Sequence, residues 1–154
     1  MLNEQKHQEL LNKSILIINK DISLKRRMQE ICELLHKEGK HYDWVGFYFH
    51  ESETRTLHLR AFAGEPTDHT QIPFGKGICG QVAESNQNFI VPDVKAQDNY
   101  IACSLHVKSE IVIPLFKDGQ NIGQIDIDSH TIDPFTEADV ALLEYVNALV
   151  AEIV

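Results

Sequence analysis

The stretch SEIVIPLFKDGQNIGQIDID, residues 109–128, decides the fold. Ser109 to Lys117 is rich in β-branched and other apolar side chains, and Asn121 to Asp128 alternates. Between them, Asp118-Gly119 is a strong signal for a tight hairpin, whose central residues favour positive φ. In the second strand, alternation sends Ile125 and Ile127 to one face and Asp126 and Asp128 to the other. Two carboxylates on one face of a central strand are costly unless water or a cation answers them. A simply solvated face is the alternative, as on many half-exposed antiparallel strands.

The length of the hairpin loop decides which acids meet. A two-residue Asp118-Gly119 turn sets Glu110 opposite Ile127, facing away from the aspartates. A three-residue loop, Lys117-Asp118-Gly119, with Gly119 left-handed in a bulge, sets Glu110 opposite Asp126. We expect the three-residue loop, and with it a cluster of three acids. Such a cluster suits an ammonium group, and each acid raises the pKa of the others, leaving one able to donate a proton.

Working outward, Phe89-Ile90-Val91 reads as a short strand closed by Pro92-Asp93, and the polar run to about Ser104 as a lid. Upstream lie a Gly- and Pro-punctuated stretch, Gly64 to Gly80, and a short helix from about Ile78 to Ser85. Trp44 to Phe49 and Thr56 to Phe62 read as strands. Helical spacing predicts helices over about Glu4 to Asn19 and Ser23 to Lys37, with Gly39 placed to stop the second. A last helix starts after Thr136, an N-cap with Asp139 three residues on. Helices first and last with hairpin-like strands between predict an α+β fold rather than a parallel doubly wound sheet. The terminal helices then cover one face, while the short helix and loops cover a pocket on the other.

The 154 residues suit one domain: helices to about residue 40, sheet and pocket loops over 43–128, and a helix over 135–153. With 43% hydrophobic and 24% charged residues the composition is globular. A formal net charge of −9 repels phosphate backbones and argues against nucleic acid. No apolar run approaches the roughly 20 residues that span a bilayer, and the amino terminus lacks a secretory pattern. No membrane association and a cytoplasmic location are therefore expected. The apolar terminal helices and the Ile153-Val154 end predict a homodimer.

Three cysteines, an odd number, argue for reduced thiols rather than a disulfide framework. Cys32 lies on the apolar stripe of the second helix and reads as core. Cys79 follows Gly75-Lys76-Gly77 at a helix start, where the dipole and Lys76 favour a thiolate; packing beneath the turn is the other reading. Cys103 lies on an irregular polar segment near His106 and Lys108, the setting of a reactive thiol, and is the best nucleophile candidate. The string Gly75-Lys76-Gly77-Ile78-Cys79-Gly80 matches G-x-G-x-x-G, but no βαβ unit surrounds it and a Rossmann site is rejected. Eight histidines show no metal-ligand spacing, so neither a metal nor another cofactor is expected. Trp44 and Tyr48 share one strand face, as core or as a wall beside a ligand.

Taken together, Asp43 to Tyr48, Phe74 to Gly80, Val91 to Val94, Tyr100 to Cys103, Lys108 to Pro114 and Ile125 to Ser129 resemble the free methionine-(R)-sulfoxide reductases, small stand-alone GAF domains. The resemblance covers about Trp44 to Glu144 and implies a GAF fold, with a central antiparallel sheet of about five or six strands. It implies reduction of free methionine-(R)-sulfoxide, with Cys103 as the attacking thiol and Cys79 as auxiliary. Glu110, Asp126 and Asp128 would hold the amino acid and help protonate its oxygen, with Trp44 and Tyr48 as the aromatic wall.

One position departs from the family. Where it carries a resolving cysteine, ten residues before the glycine-rich one, this chain has His69. Attack by Cys103 leaves a sulfenic acid, which Cys79 or an external thiol, thioredoxin for example, must then reduce. The alternative is a non-catalytic GAF sensor that binds a small molecule without turning it over.

Overall fold

The computed structural model describes residues 2–97 and 106–154. Two helices come first, α1 (Glu4–Ile18) and α2 (Leu24–Glu38). Asn3 caps α1 by accepting from the Lys6 amide at 2.8 Å, and Ser23 caps α2 by accepting from Arg26 at 3.2 Å. Strands β1 (Trp44–Glu51), β2 (Thr56–Ala63) and β3 (Gln71–Pro73) lead into α3 (Gly77–Ser85). Then follow β4 (Phe89–Val91), a 3-10 turn over 94–96, β5 (Ser109–Lys117), β6 (Gln120–Ser129) and α4 (Glu137–Ile153). Thr136 and Asp139 form the expected capping box of α4.

The six strands form one antiparallel sheet in the order β3-β2-β1-β6-β5-β4. Alternation sorts the side chains into two cores. Val45, Phe47, Ile111, Ile113, Ile125 and Ile127 pack with α1, α2 and α4 on one face. Trp44, Tyr48, Leu57, Val91 and Val112 pack on the other with Ile78, Cys79 and Val82 of α3. The expected α+β architecture, terminal helices on one face and a short helix on the other, is the one observed.

The β5–β6 register differs from both sequence-based alternatives. The turn is the two-residue one: Lys117 pairs with Gln120, and Asp118 and Gly119 take φ of 52° and 78°. That turn alone would turn Glu110 away from the aspartates. A bulge intervenes, however, because Phe116 pairs with Asn121 while Leu115 pairs with Gly123, so Ile122 is an extra residue on β6. The Asn121 side chain accepts from the Gly123 amide at 3.2 Å and bridges the bulge. Glu110 consequently faces Asp128, not Asp126. The expected three-residue loop is wrong, yet its consequence survives, since one inserted residue anywhere in the hairpin flips which face Glu110 takes.

Candidate active site

β6 sits between β1 and β5, so its pocket-side residues lie at the centre of the sheet. They are Gln124, Asp126 and Asp128, opposite Tyr48, Gly46 and Trp44 on one side and Pro114, Val112 and Glu110 on the other. All three acids are buried, at 5% exposure for Glu110 and 1% for each aspartate. The Trp44 indole folds down onto Gly46: a Cβ there would lie 2.3 Å from the ring, so only glycine leaves room. The Trp44 and Tyr48 ring centroids are 6.4 Å apart, and both side chains lie on this face of the sheet.

Both aromatic side chains also hold the β2–β3 connection against the pocket. Trp44 Nε1 donates to the Glu65 carbonyl at 3.0 Å, and the Tyr48 hydroxyl donates to the His69 carbonyl at 2.8 Å. A small cavity of about 30 Å³, room for about one or two waters, opens between Asp43, Trp44, Glu65, Thr67, Val107, Asp128 and His130. Larger clefts of about 340, 440 and 470 Å³ are lined by other residues and contain none of the three acids.

The first turn of α3 brings Cys79 over the acids, with Sγ 3.8 Å from Glu110 Oε2. Burial pushes the Cys79 thiol well above its usual range, and the charges of Asp126, Glu110 and Asp128 push it further. The thiolate reading of Cys79 is therefore corrected: three acids and burial outweigh the helix start and Lys76, and the residue is packed and neutral. Burial likewise raises the carboxyl of Asp126, against the lowering effect of hydrogen bonds from Glu110 and Cys79. Burial and the neighbouring Asp126 charge hold Asp128 well above the carboxylate range. A carboxyl kept protonated near neutral pH can donate to a basic oxygen, and a carboxylate beside it can receive an ammonium group.

The structure thus gathers Trp44, Tyr48, Cys79, Glu110, Asp126 and Asp128 on one side of the sheet. Cys103, the candidate nucleophile, lies outside the described residues. Cys32 is buried in the opposite core, as expected. One polar residue escaped the sequence reading. Gln124 is fully buried two positions before Asp126, on the same face, with neither amide atom hydrogen-bonded. Alternation along β6 could have found it, but a neutral side chain drew no notice beside two acids.

A curled antiparallel sheet that encloses a polar pocket against helices is the architecture of a small-molecule-binding domain. A family model for the GAF domain matches residues 21–154. GAF domain-containing protein A of Dictyostelium discoideum is 41% identical over 113 residues, 73% of this chain and 70% of that protein. The free methionine-R-sulfoxide reductase of Saccharomyces cerevisiae is 41% identical over 110 residues, 70% of this chain. That match spans 61% of the yeast protein's own length, under two thirds. The free methionine-R-sulfoxide reductase of Neisseria meningitidis, solved in complex with its substrate, superposes with a TM-score of 0.89 at 30% identity, over 99% of this chain and 91% of that one. The chain belongs to the GAF domain family and, within it, to the free methionine-R-sulfoxide reductases.

Proposed function

We propose that this chain reduces free methionine-(R)-sulfoxide to methionine. The observation that carries the reading is the trio Glu110, Asp126 and Asp128: buried, convergent across β5 and β6, and with both aspartate carboxyls raised. In the reaction, the Cys103 thiolate attacks the sulfoxide sulfur while a carboxyl protonates the oxygen. The oxygen ends on Cys103 as a sulfenic acid, and methionine leaves with its sulfur reduced by two electrons. The carboxylates answer the substrate's ammonium group, and Trp44 and Tyr48 pack against the methyl-sulfur end.

Cys79 serves as a neutral auxiliary thiol. A thiol buried among acids is a slow nucleophile, because the thiolate is the reactive form. We therefore assign the second half of the cycle to an external thiol, thioredoxin or another dithiol, which reduces the sulfenic acid and releases water. We read the chain as a single unit that works as a homodimer.

The test is methionine release from free methionine-(R)-sulfoxide in dithiothreitol, with Cys103→Ser as the control. Release by the native chain and none by the variant supports the reading. No release above that control refutes it in favour of a ligand sensor.

A further inference from the structure

Gln124 is fully buried on the pocket face of β6, and among the described residues neither Nε2 nor Oε1 has a hydrogen-bond partner. An unpaired amide in the interior costs free energy, and an apolar side chain of the same size would avoid that cost. The neighbours across the sheet do not satisfy it. Pro114 has no polar side-chain atom, and the Tyr48 hydroxyl gives its proton to the His69 carbonyl at 2.8 Å.

A second unsatisfied atom lies beside it. Asp126 is two positions along β6 on the same face, and its Oδ1 is buried without a partner, although the carboxyl takes hydrogen bonds from Glu110 and Cys79. Two residues of strand separate their Cα atoms by about 6.8 Å. One oxygen atom set between the side chains, with a hydrogen bond of about 2.8 Å to each, bridges two donors about 4.5–5 Å apart. The longer glutamine side chain has the reach to close the difference.

The chemistry of the gap calls for an acceptor. Nε2 can only donate, and burial raises the Asp126 carboxyl toward its protonated, donating form. Gln124 stands opposite Tyr48, and Asp126 opposite Gly46, onto which the Trp44 indole folds. The gap therefore adjoins the aromatic side chains assigned to the methyl-sulfur end. A sulfoxide oxygen is a strong acceptor with room for two hydrogen bonds, whereas the thioether sulfur of methionine is a weak one.

We propose that Gln124 Nε2 and the Asp126 carboxyl together hold the sulfoxide oxygen, and that Gln124 distinguishes the sulfoxide from methionine. The ligand class rests on the reduction reading given above. Donors fixed in place before the ligand arrives need no reorganisation when it binds. Methionine, having lost the oxygen, leaves both buried donors unpaired again, so the same pair that selects the substrate weakens the hold on the product.

The experiment is calorimetric titration of the full chain carrying Cys103→Ser, which blocks turnover, with free methionine-(R)-sulfoxide and with methionine. The same titrations follow with Gln124→Met added. The preference for sulfoxide over methionine should fall about tenfold in Gln124→Met, with thermal unfolding no earlier than in the parent chain. A glutamine that only supports the fold would weaken both ligands alike, and an unchanged preference overturns the assignment. If Gln124→Met fails to fold, nitrogen-15 spectra of the Cys103→Ser chain decide. The Gln124 side-chain amide protons should move downfield with the sulfoxide and not with methionine, and no movement with the sulfoxide overturns the assignment. A preference lost in Gln124→Met while the native chain releases no methionine supports the oxygen site and refutes turnover. Binding of neither ligand refutes both.

Discussion

Replacing Asp128 with asparagine should stabilise the protein at neutral pH while impairing its pocket. Asp128 is 1% exposed, both carboxylate oxygens lack partners, and burial together with the Asp126 charge raises its pKa. A raised carboxyl binds a proton in the folded chain at pH values where the unfolded chain has released it. Its favourable contribution is thus complete below the ordinary carboxylate pKa near 3.8 and is lost as pH rises through the folded value. Each pH unit of that window is worth about 1.4 kcal/mol. Asparagine keeps the shape and never ionises, so the variant should overtake the native chain as pH rises. Urea unfolding of both proteins with a chelator present, at pH 5 and pH 8, measures the difference directly. The stability gap in favour of Asp128→Asn should widen from pH 5 to pH 8, because titrations elsewhere cancel between the two. A variant less stable than the native chain at both pH values, with an unchanged gap, would refute the claim that burial raises the Asp128 carboxyl.

Gly46→Val should displace the Trp44 indole, which leaves no room for a Cβ, at a cost of about 1–3 kcal/mol for overpacking. Methionine release should fall in this variant by more than the loss of folded protein measured by circular dichroism. Asp139 accepts from the Thr136 amide and hydroxyl at 2.7 and 3.1 Å and from the Tyr42 hydroxyl, tying the start of α4 to the β1 entry. Asp139→Ala loses the cap and strands a buried hydroxyl, so a loss of about 2–4 kcal/mol is expected, against about 1 kcal/mol for Tyr42→Phe, both read by urea unfolding. Cys32 is fully buried, and burial raises its thiol well above the usual range. It should resist iodoacetamide in the native state at pH 8, by mass spectrometry of digested protein, and Cys32→Ser should leave methionine release unchanged.

Much of this architecture was legible in the residues because it depends on local periods. Alternation along Gly123 to Asp128 places Asp126 and Asp128 on one face in any sheet, and the same rule pairs Trp44 with Tyr48. The cap at Thr136 marked a helix start through hydrogen bonds that span three residues. The position of Glu110 belonged to another class of question. It depended on whether the count of residues between two strands is odd or even, and the inserted residue turned out to be Ile122, past the turn, rather than Lys117 within it. Strand pairing depends on that parity, and no local preference reports it.

The chemistry of Cys79 was likewise a matter of tertiary structure. Its neighbours in the chain, Lys76 and a helix start, argued for a thiolate, whereas its neighbours in space are three acids drawn from two strands. Electrostatic environment is summed over distance in space, so a sequence shows only the fraction of it that is local. The sequence by itself determined the α+β order, the faces of each strand and the residue types available to the pocket. Only the folded chain decided which of them meet, because burial and convergence arise from contacts between elements far apart along the polymer.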